Sequence, residues 1–423
     1  MHFSFWAASK LGVEKDILEL ANTFLSENES YPKGYMRVAI VHDWLTGMRG
    51  GEKCLEVFCE LFPDADLYTL IHTNGSVTKI IEDRNIKTSF IQKIPGIEKY
   101  YRFFLPFFPL AIESFNLIEY DLILSSSHCV AKGIIPPPNA IHISYVYTPM
   151  RYVWDLYHDY FGNNRVNWFS EKIISIFAHY LRMWDAASSN RVDYFTAISR
   201  HIAKRVEKYY RRKADVIYPP VDCNKFAISE RVEDFYLIVS AFAPYKRLDI
   251  AIEAFNKMGL KLKIIGDGQD EKRLRRIARQ NIEFLGWQDD NTLKEYYSKY
   301  KALIFPGEED FGIVPVEAMA SGRPVIAYGK GGALETVIPL NHKSEEKPTG
   351  IFFYEQTPEA LIGAVKYFEK NQEKFDKNVV RNHAMRFDRK IFKEKIRNYI
   401  IEKYEDYQRS LKKQRPDLAI DSH

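Results

Sequence analysis

Two glutamates, Glu309 and Glu317, stand eight positions apart in the run Gly307-Glu-Glu-Asp-Phe-Gly-Ile-Val-Pro-Val-Glu-Ala-Met-Ala-Ser-Gly-Arg-Pro-Val-Ile-Ala. The run leaves an apolar strand ending at Phe305 and enters a helix, with Pro315 near the helix start and Gly322 placed to end it. Strand-to-helix turns of this kind are where open α/β sheets bind ligands. Glu309 in the turn and Glu317 in the first helical turn offer paired acceptors to the hydroxyls of a sugar or ribose. Without a ligand, Glu317 would simply favour the helix dipole.

Other turns place complementary chemistry. Pro244-Tyr-Lys246-Arg247 sets two cations at a strand's carboxyl end, which suits a diphosphate. Gly331 and Gly332 follow another strand and open a helix, where backbone amides approach phosphate. His42-Asp-Trp-Leu-Thr-Gly-Met-Arg-Gly50-Gly51-Glu52-Lys53 repeats the pattern near the amino end, and His128 ends a strand through Ser126 and Ser127. Gly266-Asp-Gly268 lacks the third glycine of a dinucleotide fingerprint, since Glu271 stands in its place, and a nicotinamide role is set aside. Asp64-Ala-Asp66 has the spacing of a metal-holding DxD pair, but beside Pro63 it reads as a turn, and no metal site is assigned.

These residues need a scaffold, and the chain has room for one. It contains 423 residues, enough for two or three domains. Its 60 Lys+Arg against 56 Asp+Glu leave a net charge of +4, so no broad surface for nucleic acid exists and any anion site is local. Hydrophobic content of 46% excludes disorder. The four cysteines have neither disulfide nor zinc spacing, which fits a reducing cytosol. The longest apolar run, Phe103 to Ile112, is too short to span a bilayer and holds Pro106 and Pro109. Residues 1–35 lack the features of a signal peptide and read as an extension, with the patterned sequence beginning at Met36.

From there, short apolar runs alternate with helical segments, the pattern of parallel sheets covered on both faces. Strands are expected at Arg37–His42, Leu67–His72, Tyr120–Ser125, Ile141–Val146 and Tyr194–Ala197. A second series is expected at Tyr236–Ser240, Lys261–Ile265, Ile282–Leu285, Ala302–Phe305, Pro324–Ala327 and Gly350–Phe353. Paired prolines at Pro219-Pro220 mark the connection. The expected division is a domain over 36–216, a linker over 217–233, a domain over 234–387 and a charged helix over 388–413.

The combination resembles the retaining glycosyltransferases of family 4, a GT-B group that includes bacterial polysaccharide mannosyltransferases, over residues 36–405. The Glu309 to Glu317 run and its continuation through Ala327 carry the resemblance, joined by Tyr147-Thr-Pro-Met-Arg-Tyr-Val-Trp-Asp. It implies two Rossmann-like domains facing across a cleft, with the final helix returning to the N-terminal domain. It also implies that Glu317 holds the ribose, Glu309 the donor hexose, and Lys246 the departing diphosphate. Amides around Phe311, Gly312, Ile313, Val314, Gly331 and Gly332 would meet the sugar and phosphates. Gly50 and Gly51 would close on the same phosphates, with His128 over the sugar. One departure stands out: Ala241 occupies the position where the family usually reads arginine, five residues before Lys246, and Arg247 is the adjacent candidate to compensate.

The implied reaction is transfer of a hexose, mannose from GDP-mannose first, to a glycan or lipid-linked acceptor, with retention and with neither metal nor cofactor. A nucleotide-sugar epimerase and a catalytically weakened binding subunit are the alternatives. The segment Arg200 to Lys213 carries seven Lys or Arg against one Glu, and with the aromatic run Tyr100 to Leu110 it points to an anionic membrane surface as a further partner of a cytoplasmic, peripheral enzyme.

Overall fold

The computed structural model describes residues 36–155, 168–341 and 346–414. Two wholly parallel sheets organise the described residues. The N-terminal sheet contains β1 (Val38–His42), β2 (Asp66–Thr69), β3 (Ile86–Thr88), β4 (Leu122–Ser127), β5 (Ile141–Val146), β6 (Tyr194–Ala197) and β7 (Ala214–Val216), in the order β3-β2-β1-β4-β5-β6-β7. The C-terminal sheet contains β8 (Tyr236–Val239), β9 (Leu262–Ile265), β10 (Ile282–Gly286), β11 (Leu303–Phe305), β12 (Val325–Tyr328) and β13 (Gly350–Phe353), in the order β10-β9-β8-β11-β12-β13. β1, β4 and β5 are buried at every position, as strands covered on both faces must be.

β3 and β7 were not expected from the sequence. Each is three residues long, and Ile-Lys-Thr and Ala-Asp-Val carry no apolar run, because an edge strand pairs on one side only. The helices that bear on function are α1 (Gly50–Leu61), α2 (Trp168–Ser188), α3 (Arg200–Tyr210), α4 (Leu248–Met258), α5 (Ile313–Ala320) and α6 (Arg389–Gln414). In α1, Glu52 reaches back to the amide of Arg49 at 3.0 Å and satisfies one of the first-turn donors that a helix leaves open.

In each sheet the strand order reverses once, between β1 and β4 and between β8 and β11. Residues just past the carboxyl ends of those four strands are therefore the ones the fold offers to a ligand. The chain crosses between domains twice, side by side: Val221 N donates to Phe387 O at 3.1 Å, and Arg389 N donates to Val221 O at 3.0 Å. After the second crossing α6 lies on the N-terminal domain. Phe392 is 2% exposed and packs against Phe58 and Tyr145, with ring centroids 6.0 and 5.6 Å away. Arg389 reaches Glu60 at 2.6 Å and Lys393 reaches it at 3.0 Å. The aromatic contact, desolvated and close-packed, carries more of this docking than the half-exposed ion pairs. Phe392→Ala is expected to destabilise the protein by about 3–5 kcal/mol, read as a lowered midpoint in urea unfolding. An unchanged midpoint would show that α6 docks through its charges.

Candidate active site

The N-terminal half of the site is built on one carboxylate. Asp43, the first residue after β1, is fully buried and accepts hydrogen bonds from four consecutive amides past β4: His128 at 2.6 Å, Cys129 at 3.0 Å, Val130 at 2.6 Å and Ala131 at 2.8 Å. The same carboxylate meets His128 Nδ1 at 3.0 Å. Burial alone would push the Asp43 carboxyl up, but the facing His128 charge and the hydrogen bonds hold it down at about 2. His128 moves the opposite way: burial disfavours its charge, and Asp43 outweighs that and raises its pKa. Trp44 packs edge-on against the His128 ring at 4.4 Å, so the imidazole is fixed on two sides.

Behind His128, a chain of hydrogen bonds positions the glycine turn. His42 Nδ1 lies 2.8 Å from Ser126 Oγ, which lies 2.8 Å from Tyr147 Oη, and that hydroxyl donates to the Gly51 carbonyl at 2.9 Å. A side chain on Gly50 would meet Ile313 Cδ1 of the other domain at 2.9 Å, so the absence of a Cβ lets α1 approach the start of α5.

In the C-terminal half, Lys246 ends a short turn after β8 and Glu309 lies in the turn after β11; the two form an ion pair. Burial opposes the Lys246 charge, yet the Glu309 carboxylate raises its pKa overall. Glu317 lies one turn further into α5 than its spacing from Pro315 implied. It is 8% exposed and accepts hydrogen bonds from Tyr297 Oη at 3.2 Å and, across the cleft, from Lys53 Nζ at 3.3 Å. Glu317 is the main cause of the raised Lys53 pKa. Phe311, Gly312, Ile313 and Val314 line the same cleft, where the first-turn amides of α5 have no acceptor within the helix. The cavity measures about 710 Å³ and also receives His128, Gly50, Gly51 and, at its rim, the 72%-exposed Trp287.

Two expectations change. Gly332 does not offer its amide to a ligand: that amide donates to the Glu309 carbonyl at 2.8 Å. A Cβ on Gly331 or Gly332 would fall 2.4 Å from Glu309 O or 2.3 Å from the Phe311 Cα. This glycine pair braces the Glu309 loop from behind. Arg247 does not stand in for the arginine missing at Ala241. Its backbone is left-handed, with φ of 54°, and its guanidinium turns to Asp249 at 3.2 Å in a neighbouring basin. Asp64-Ala-Asp66 lies at the opposite, amino edge of its sheet, where Asp66 meets Lys87 at 2.9 Å.

The sequence reading passed over Asp43, Glu52, Lys53 and Asp310. Three of them, Asp43, Glu52 and Lys53, lie inside the 42–53 glycine turn, and the signal available was a charge next to that turn. Asp310 joins the domains, taking Arg151 at 3.0 Å and Arg205 at 2.8 Å, while its carbonyl accepts from Ser199 Oγ at 2.6 Å. Beside it, Glu335 caps α3 from the other domain, accepting from the amides of Arg200 at 2.8 Å and His201 at 2.9 Å.

Asp43→Ala removes the acceptor of four buried amides and the partner of His128. The expected loss is about 3–5 kcal/mol of stability at neutral pH, with the His128 imidazole pKa falling in an NMR titration. The Asp43 contribution is complete above its ordinary 3.8 and is lost as pH falls through about 2. The His128 contribution is complete below 6.5 and is lost as pH rises through its raised value. The stability difference between wild type and variant should therefore be largest between those limits. A flat difference would disprove the coupling.

Residues 224–385 match the model of a family described as glycosyl transferases group 1. An uncharacterized glycosyltransferase of Methanocaldococcus jannaschii is 32% identical over 169 residues, covering 39% of this chain and 47% of that protein. The O-antigen chain mannosyltransferase RfbU of Salmonella typhimurium is 26% identical over 236 residues, covering 53% of this chain and 64% of that one. The chain thus spans roughly half to under two thirds of the length of these curated relatives. Among solved structures, Anabaena Alr3699/HepE in complex with UDP-glucose superposes with a TM-score of 0.61 at 17% identity, covering 87% of this chain and 100% of that one. The fold is GT-B, and the chain resembles bacterial mannosyltransferases built on it.

Proposed function

We propose that the protein is a retaining hexosyltransferase that moves mannose from GDP-mannose to a hydroxyl of a glycan or lipid-linked acceptor, without a metal. The observation that carries this reading is the pairing of Lys246 with Glu309 at the C-terminal switch point, opposite His128 at the N-terminal one. A diphosphate entering the cleft would take Lys246 from Glu309 and meet the open amides of α5. Glu309 would then be free to accept a hexose hydroxyl, and Glu317 a ribose hydroxyl. Charge developing on the leaving phosphate is stabilised by a cation and amides already in place, which costs little reorganisation.

Among the described residues, Glu52 is the N-terminal-domain carboxylate that lines the cleft, and it is held by the Arg49 amide at 3.0 Å and faces His42 at 3.6 Å. That commitment favours attack on the same face as departure, with the leaving phosphate taking the acceptor proton, over a covalent intermediate on the enzyme. The RfbU relative favours mannose, and the UDP-glucose complex of the Anabaena protein sets the competing donor for the assay.

Contact with an anionic membrane surface is supported by Phe103, Phe107 and Leu110, which are exposed on the N-terminal domain. Among the described residues no helix is long and apolar enough to cross a membrane. The basic stretch is divided in its use, since Arg205 is engaged with Asp155 and Asp310 while Lys204 and Arg211 are exposed.

The test is to incubate the purified protein with GDP-mannose, UDP-glucose and UDP-galactose. Nucleoside diphosphate release and the anomeric configuration of the product are then followed by NMR. Lys246→Ala and Glu309→Ala should each lower kcat by about 10²–10³-fold with unchanged far-UV circular dichroism. Unaltered turnover in both variants would overturn the assignment, and donor conversion without transfer would indicate an epimerase.

A further inference from the structure

The loops that carry Lys246 and Glu309 send neighbouring side chains into two different cavities. Lys246 and Glu309 face the donor cleft; Tyr245, Arg247 and Glu308 face a second basin of about 740 Å³, and Asp310 borders both. The basin lies between the domains, walled by the 151–155 loop and α3 on one side and by the start of α4 on the other. Its volume is that of an ordinary small-molecule site.

The lining is dominated by charge, with five Lys or Arg against four Asp or Glu. Three of the acids are committed to other partners: Asp310 to Arg151 and Arg205, Asp155 to Arg205 and to the Tyr209 hydroxyl at 2.6 Å, and Glu308 to Lys330 at 3.1 Å. Arg247 is held only loosely. It meets Asp249, two residues on, at 3.2 and 3.4 Å, and it does so from a left-handed backbone that L residues rarely adopt. Strain of this kind is characteristically retained where it aims a functional group. Aromatic surface completes the walls: Tyr245 lies under the Arg151 guanidinium at 5.4 Å, and Tyr209 stacks on Trp154 at 4.5 Å.

We propose that this basin is an acceptor subsite for a phosphate-bearing sugar, with Arg247 and Lys208 gripping the phosphate and the tyrosines facing the ring. The guanidinium fork of Arg247 suits two phosphate oxygens. The proposal rests on the glycosyl-transfer reading above and adds the chemistry of the acceptor. It also gives Arg247 the role its sequence position left open: a phosphate cation, serving the other substrate. The phosphate could belong to a soluble sugar phosphate or to a lipid-linked sugar diphosphate, and both present a pair of anionic non-bridging phosphate oxygens to the basin.

The full-length protein, saturated with GDP or with UDP, is titrated with glucose 6-phosphate, with glucose, and with farnesyl diphosphate, by calorimetry. Glucose 6-phosphate or farnesyl diphosphate should bind saturably while glucose does not, and the tighter of the two identifies the source of the phosphate. In R247G/K208Q that binding should weaken by about ten-fold or more, while nucleotide affinity and melting temperature stay within error or the melting temperature rises, because glycine relieves the left-handed strain. Absence of saturable binding by either phosphate, or equal binding to the variant, overturns the basin. Failure of both nucleotides to bind overturns the donor reading instead, and the same phosphate titration on the free protein still decides the basin.

Discussion

The cleft exists because two parallel sheets are held with their carboxyl edges face to face, and charged groups reach across the gap between them. Lys53 reaches Glu317, Arg151 and Arg205 converge on Asp310, and Glu335 caps a helix that belongs to the opposite domain. Ion pairs at a partly wet interface are individually weak. Their value here lies in direction, since each fixes one loop of one sheet against one loop of the other. Apolar packing is shared as well: one buried cluster runs through both domains, and Ile313 comes up against Gly50.

Within that frame, the site is neutralised by its own residues. Lys246 is paired with Glu309, and Lys53 with Glu317, so cations and carboxylates of the cleft neutralise each other. A buried lysine or glutamate left alone would be costly and would shift towards its neutral form. Pairing lowers that cost for both partners.

Much of this was legible in the sequence where chemistry and local geometry coincide. The Glu309 to Glu317 run encodes a strand, a turn and a helix within one stretch, so the spacing carries the placement. Lys246 and His128 were likewise fixed by standing just past a strand. The failures share a different cause. Arg247 is one residue from Lys246, but a left-handed backbone turns it into another cavity, and no residue-type pattern signals that for an arginine. Gly331 and Gly332 look like a phosphate turn because a loop braced by another loop needs the same absence of side chains. Lys53 and Asp310 act across the domain gap, on partners more than a hundred residues away, where local patterning carries no information. The edge strands β3 and β7 escaped notice because their pairing needs little apolar sequence.

The double crossing at Val221 and Asp388 sets what motion the molecule can make. Two adjacent chain segments, hydrogen-bonded to each other, resist sliding and resist shear, and they leave torsion as the soft coordinate. Opening of the cleft is then a twist about that axle. Elements near it, such as the helix carrying Glu317, would travel little, and exposed positions at the rim, such as Trp287, would travel further. A substrate would be admitted from the lip inward, its deepest contacts changing least.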